Sequence, residues 1–422
     1  DKYTPTNVLR VLIPTIVHPR RGLCVPEEYV RPPDQCNYGQ FRSLSSVCWP
    51  GSDKGKGKRM DRRTFMSLTS GVAGALSITG CRVTRTLPEA KRQPRVRMTV
   101  GTQRSPTTDE MLMYFRRHGV EHICGYPETD GWTGPRLQQL RERCELHGIS
   151  LDMVQFPFMS SSHIDRADRK AIMLGQDPER QKEIDEACEI IQRCSEAGIP
   201  AIKYNLSLLG VLRTDPTRGR GGTSYSTWRL VDADPNTETR AGEVAADEMW
   251  ERITYFLERV IPVAEEYDIR LACHPHDPGV PPEGFHGIAR VLGTVDGLKT
   301  FVNIKENSHH GLNLCLGTTA EMLENPAEEI HDVIRYFGSR RKIFNIHFRN
   351  ILGRRDDFQE VFPDEGDMDM LRVMMTLKEV DYPYMVMPDH MPRHPDDPNG
   401  RQAFAFGYGY IKGLIQAVDT SA

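Results

Sequence analysis

The feature that most narrows the folds open to this chain is an alternation. Short β-rich runs and longer amphipathic stretches follow one another from about residue 97 to the C-terminus. The strand-like runs are 97–101, 121–125, 150–155, 201–205, 269–274, 300–305, 342–348 and 384–388. Helical spacing is read over 109–118, 135–147, 181–197, 245–267, 326–337 and 368–380. Several of these stretches stop at a glycine, as in HGV, HGI and AGI, where the absence of a Cβ permits the left-handed cap. Repeated βα units with apolar strands imply a buried parallel sheet. Eight of them, with no GxGxxG turn after the first, favour closure into an α/β (β/α)8 TIM barrel over an open doubly wound sheet.

The barrel is expected to occupy 96–420, so the chain ahead of it needs a separate account. Residues 1–59 are rich in Pro, Arg, Gly and Ser, lack a sustained period, and read as disorder upstream of a true start at Met60. From Met60 the character changes: Arg62 and Arg63 precede Phe65, a short run of small apolar residues, and Ile78, Thr79, Gly80 and Cys81. That order reads over 60–81 as an export signal of twin-arginine type ending in a lipoprotein box, with Cys81 as the lipidated residue. The run is too short and too weakly apolar for a stable membrane span. Residues 82–95 form a polar linker, and the expected location is exported, periplasmic or anchored to the membrane through Cys81 alone.

A net charge of −4, with no basic stripe and no acidic tail, argues against a nucleic-acid partner and toward a small molecule. Self-association into a homo-oligomer is left open. The ten cysteines have neither zinc-ribbon spacing nor a compact disulfide framework. One long stretch, 207–243, follows the fourth strand without a clear period and reads as a lid or binding insertion.

In a barrel of this kind chemistry sits at the C-terminal ends of the strands. The last four strand ends carry it here: His274, His276 and Asp277 in ACHPHDP; Cys315 at the end of a run continuing from the sixth strand; His347 and Arg349 in NIHFRN; Asp389 and His390 in MPDH. Imidazole, thiolate and carboxylate groups from successive strands make a mononuclear divalent metal site, with His274, Cys315, His347 and Asp389 as ligands. By thiolate softness alone the ion would be Zn²⁺ or Fe²⁺. Arg349 can pair a substrate carboxylate through its planar fork, the competing role being a salt bridge between strands on the barrel rim.

These segments resemble the mannonate dehydratase family. HPHDP with GIAR after it, Asn-Leu-Cys-Leu-Gly around Cys315, His-Phe-Arg-Asn at His347, FQEVFPDEGDMDM and Pro-Asp-His at Asp389 carry the resemblance, with AGIPAIKYN up to Asn205 and Arg-Thr-Asp at Arg213 upstream. It implies a xylose-isomerase-like barrel, Mn²⁺ as the cofactor, and dehydration of the sugar acid D-mannonate to 2-keto-3-deoxy-D-gluconate. The family's ligands fall on His274, Cys315, His347 and Asp389, and its catalytic histidine on His390. Asn205, His276, Asp277 and Arg349 are the expected substrate contacts.

The chain departs from the family pattern in three places. A tyrosine expected soon after Pro-Asp-His is displaced, Tyr408 and Tyr410 aligning instead with the last helix. His276 stands where the family has a carboxylate, and Gly210 and Val211 replace an acidic and an aromatic residue. Two other functions share the same residues: a metal-dependent sugar isomerase or epimerase, and an exported sugar-binding protein without turnover.

Overall fold

The computed structural model describes residues 96–280 and 284–420. The expected disorder, export signal, Cys81 and the whole linker therefore lie outside the described residues. Among those residues the strands are β1 (Thr99–Thr102), β2 (His122–Gly125), β3 (Ser150–Gln155), β4 (Ala201–Asn205), β5 (Thr214–Arg218), β6 (Ser224–Arg229), β7 (Arg270–His274), β8 (His310–Cys315), β9 (Ile343–His347), β10 (Asn350–Arg354), β11 (Asp357–Val361) and β12 (Met385–Met387). The helices are α1 (Asp109–Arg117), α2 (Gly134–Leu146), α3 (Ala171–Leu174), α4 (Glu179–Glu196), α5 (Ala246–Glu266), α6 (Val295–Asn303), α7 (Leu316–Ala320), α8 (Pro326–Ser339), α9 (Met370–Glu379) and α10 (Arg401–Thr420).

Eight strands close a parallel barrel in the order β1-β12-β9-β8-β7-β4-β3-β2. This is the TIM architecture expected from the alternation. The helices form where the apolar period and the end signals agree. In α1, the Thr108 side chain caps the first turn, Asp109 and Glu110 face the positive end of the helix dipole, and Arg116 and Arg117 the negative end. Its buried face is Met111, Leu112, Tyr114 and Phe115. Gly119, Gly148 and Gly198 do adopt positive φ just past their helices.

Inside the barrel, side chains alternate along each strand and sort by height. Cys124, Met153, Ala201, Ala272, Phe344, Met385 and Met387 pack into an apolar plug. Two residues further along β4 and β7 from Ala201 and Ala272 come Lys203 and His274, so polar groups stand on an apolar floor.

Two expectations are corrected. The sixth strand is not 300–305: 295–303 is helix α6, and the strand is His310–Cys315. The run TFVN has β-branched and aromatic residues, yet Leu298, Phe301 and Val302 follow helical spacing and are buried, under a Thr294 cap. The stretch 207–243 is not irregular either. It supplies β5 and β6 to a four-stranded antiparallel sheet in the order β10-β11-β6-β5. Trp228 on β6 is buried and meets the Phe285 ring edge to face with centroids 5.5 Å apart.

Candidate metal centre and active site

Parallel register brings the C-terminal strand ends to one level. Asn205 pairs with His274 across β4 and β7, Cys315 with His347 across β8 and β9, and His347 with Met387 across β9 and β12. Asp389 follows two residues after Met387. As a result His274, Cys315, His347 and Asp389 each offer a ligand atom, and these atoms all lie within 4.8 Å of one another. All four residues are buried.

The hydrogen bonds around them fix which atom faces inward. His274 Nδ1 lies 2.7 Å from the Pro275 carbonyl, so it carries the proton and leaves Nε2 bare. His347 uses the opposite nitrogen: Nε2 lies 2.9 Å from Gln103 Oε1, while the buried Nδ1 has no hydrogen-bond partner and sits 3.4 Å from Asp389 Oδ2. Gln103 also donates through Nε2 to Asp389 Oδ1 at 3.0 Å, which turns Oδ2 toward the cluster. Cys315 Sγ accepts from the Thr318 backbone N–H at 3.4 Å and from Arg349 Nη2 at 2.9 Å.

Protonation states fit the same purpose. Burial drives His347 down to about 4 and His274 well below its ordinary value, so both imidazoles are neutral. Burial pushes Asp389 up, but the His347 and His390 imidazoles outweigh it and hold the carboxyl well below its usual range. Burial lifts the Cys315 thiol to about 12 against the pull of Arg349. Two neutral imidazoles, a carboxylate and a sulfur, one nitrogen lacking any partner, make a donor set suited to a single divalent transition ion.

Behind this cluster lies a dense ionic layer. Arg349 is fully buried and bonds Asp277 Oδ2 at 2.8 Å, together with Glu360 and Thr318. Arg213 forms an ion pair with Asp277 Oδ1 at 2.6 Å and also pairs with Glu360. Glu321 lies 3.6 Å from Arg213 and 3.8 Å from Arg349, and burial raises its carboxyl to about 8. A protonated Glu321 leaves two guanidinium groups facing the two carboxylates of Asp277 and Glu360, so the buried charges balance.

That layer changes the expected roles of three residues. Arg349 is committed to protein groups and does not reach out for a substrate carboxylate; the salt-bridge reading is the one its contacts match. Asp277 is likewise held by the two arginines, and it also lines the inner pocket. His276 is buried with Nε2 at 2.7 Å from the Leu206 carbonyl and Nδ1 accepting from Leu292 N–H at 3.3 Å, so neither nitrogen is offered to a ligand. Asn205 does line the inner pocket.

His390 stands beside the cluster, half-buried. Its Nδ1 lies 2.7 Å from Glu360 Oε1 and its Nε2 4.0 Å from Asp389 Oδ2. Arg349 Nη1 also lies 2.8 Å from Nδ1; a proton on Nδ1 donated to Glu360 leaves Nε2 as the free base, whereas Nδ1 accepting from Arg349 places the proton on Nε2. Burial lowers its pKa, but Asp389 and Glu360 outweigh burial and the net shift is upward.

Three groups at the site were not singled out in the sequence. Lys203 is buried on the inner pocket wall with Nζ 2.7 Å from Gln103 Oε1. Gln103 belongs to the first strand end, which carries no motif. Glu360 lies inside FQEVFPDEGDMDM, and its role depends on a sheet that the 207–243 stretch did not reveal.

Residues 236–422 match the family model described as D-mannonate dehydratase (UxuA). A mannonate dehydratase of Endomicrobium trichonymphae is 27% identical over 354 residues, spanning 73% of this chain and 92% of that protein. The chain is similar to mannonate dehydratases. Among solved structures, the mannonate dehydratase from Streptococcus suis serotype 2 superimposes with a TM-score of 0.66 at 22% identity, covering 76% of this chain and 94% of that one. A xylose isomerase domain protein from Planctomyces limnophilus gives 0.50 at 17% identity, covering 77% and 99%. Both likenesses are of fold, and both match the xylose-isomerase-like barrel expected from the mannonate dehydratase resemblance.

Proposed function

We propose that this barrel is a metal-dependent hydro-lyase that removes water from a sugar acid, with D-mannonate to 2-keto-3-deoxy-D-gluconate as the reference reaction. The observation that carries the reading is the cluster of His274, Cys315, His347 and Asp389 next to a histidine whose free nitrogen faces the same pocket. The relatives that share most of the chain's length are mannonate dehydratases.

A divalent cation in this cluster, Mn²⁺ by kinship with Fe²⁺ or Zn²⁺ as alternatives, would polarise the substrate carboxylate and adjacent hydroxyl and acidify the C2 proton. His274, Cys315, His347 and Asp389 would hold it. His390 Nε2 takes or returns a proton beside C2 and C3, and Glu360 keeps the opposite nitrogen protonated so that Nε2 stays bare. Loss of the C2 proton and of the C3 hydroxyl, which leaves as water, gives an enol that becomes the 2-keto acid. Lys203 replaces Arg349 as the cation toward the substrate carboxylate, since two of its three ammonium hydrogens are not taken by Gln103. Tyr408 takes no part: it lies in α10 with its hydroxyl 2.7 Å from Thr102 Oγ1.

Incubating metal-loaded protein with D-mannonate and measuring a 2-keto-3-deoxy product by mass spectrometry tests the reading. No product while a neutral sugar is isomerised would move the function to the isomerase class. The export signal remains a proposal of its own, supported by Arg62, Arg63 and Cys81; replacing both arginines by lysine should stop export, and unchanged export would refute it.

A further inference from the structure

The inner pocket beside His390 is small, about 60 Å³, and is lined by His274, His347 and Asp389 of the candidate metal ligands, with Lys203 and Asn205. It does not end there. Asp389, His390 and Val211 also line a second cavity of about 1090 Å³, so the two spaces adjoin. Even allowing each heavy atom the ~30 Å³ of a whole water, a hexonic acid occupies no more than about 400 Å³. More than half of the outer cavity is left over.

Its walls mix apolar groups, among them Met391, Pro392, Pro395 and Phe404, with polar ones. Along β6 the side chains alternate, Tyr225 and Thr227 turning into the satellite sheet while Ser224 and Ser226 face the cavity. The opposite wall is 391–400, which a two-way backbone pairing ties to β6: Ser224 N–H to the Arg393 carbonyl at 2.7 Å and Arg393 N–H to the Ser224 carbonyl at 3.1 Å. Arg393 itself is exposed on this wall, and no hydrogen bond or ion pair engages its guanidinium among the described residues. Small hydroxyls, an open guanidinium and the Asn399 amide suit a partner dense in hydroxyl groups. Val211 lines both spaces, with Gly210 next to it in the inner one.

We infer that the substrate is larger than a free hexonic acid: a sugar acid carrying a glycosyl group on its tail, the acid end in the inner pocket and the glycosyl group against Ser224, Ser226 and Arg393. The inference deepens the hydro-lyase reading and rests on it. The chemistry is unchanged. Water leaves from C2 and C3, the glycosidic bond is untouched, and the product is the 2-keto-3-deoxy acid bearing the same glycosyl group.

The test compares D-mannonate with 6-O-mannosyl-D-mannonate, made by oxidising the reducing end of a 1,6-linked mannobiose, on the metal-loaded full chain. The ratio of kcat/KM, disaccharide acid over D-mannonate, is expected to be at least about 10-fold. Ser226→Trp should cut that ratio at least 10-fold by filling the subsite. Arg393→Ala, at an exposed side chain, should lower it too and serves if the tryptophan disturbs β6. A ratio below ten, or a ratio that both variants leave unchanged, overturns the inference. If neither acid loses water, calorimetry separates the two failures: at least 10-fold tighter binding of the disaccharide acid sustains the inference and removes the lyase reading, whereas equal affinity removes both.

Discussion

Glu360 reaches His390 from outside the barrel. Its Oε1 lies 2.7 Å from the imidazole Nδ1, yet Glu360 belongs to β11 of the satellite sheet and His390 to the segment after β12. The sheet built from 207–243 and 350–361 thus delivers a buried carboxylate to the imidazole proposed to move a proton at the site. Arg213, also from that insertion, helps fix the carboxylate.

Glu360→Gln keeps the shape and removes the charge that selects the Nδ1–H tautomer. General acid–base groups contribute about 10²–10⁴ in rate, so kcat should fall by roughly 100-fold with KM changed only a few-fold. Metal content should stay at one ion per chain, measured by elemental analysis. Equal losses of metal and rate would assign Glu360 to holding the centre together and not to His390.

Arg349 offers a direct contrast between two roles. As a substrate contact it would show itself in KM. As the counter-charge to Asp277 and Glu360, its removal leaves the two buried carboxylates sharing Arg213 alone, and breaking a buried ion pair costs about 3–5 kcal/mol. Arg349→Ala should therefore lower the denaturation midpoint of metal-free protein sharply. Gly317→Ala should do a milder version of the same thing, because a Cβ there would collide with the Arg349 side chain. Wild-type stability in the alanine variant, with a raised KM, would restore the substrate role.

What the sequence made legible follows from the range over which each signal acts. Most strand ends could be found because apolar runs and glycine stops are local; the sixth was misplaced into a helix, yet a ligand type at or after each of four successive runs was visible without coordinates. His276 was misjudged for the opposite reason: its two partners, the Leu206 carbonyl and the Leu292 N–H, lie 70 and 16 residues away. Lys203 was passed over because a lone lysine in an apolar strand has no local mark. Its meaning comes from Gln103, 100 residues earlier. The satellite sheet escaped because β5 and β6 are short, rich in Thr, Ser and Arg, and complete their pairing only through the distant β11.

Lys203 supports a separate prediction. A buried ammonium on the inner pocket wall has its pKa lowered, chiefly by burial, while Asp389 and Cys315 favour its charged form. Lys203→Met keeps the stem and removes the charge, so KM for a sugar acid should rise by about 10-fold or more, as expected for one lost charge-assisted contact of about 1.5–3 kcal/mol. A neutral sugar bound at the same site should be little affected. Equal losses for both would mean that Lys203 serves to hold Gln103 in place.

Metal binding should carry a proton signature set by one ligand. His274 and His347 are held neutral by burial, and Asp389 is held ionised by its imidazole neighbours, so none of these three has a proton to lose. Cys315, pushed up to about 12, still holds its proton in the metal-free protein. Binding through sulfur must expel it. Raising the pH removes the competing proton and strengthens binding: between about pH 6 and 9 the apparent affinity should rise about tenfold per unit, the slope of a single proton. Calorimetry in two buffers of different ionisation heat should count one proton released per ion. Cys315→Ser, whose hydroxyl does not ionise in this range, should bind the ion more weakly and flatten the slope toward zero. A slope of zero in the unaltered protein would mean that sulfur is not a ligand, leaving only His274, His347 and Asp389 to hold the ion.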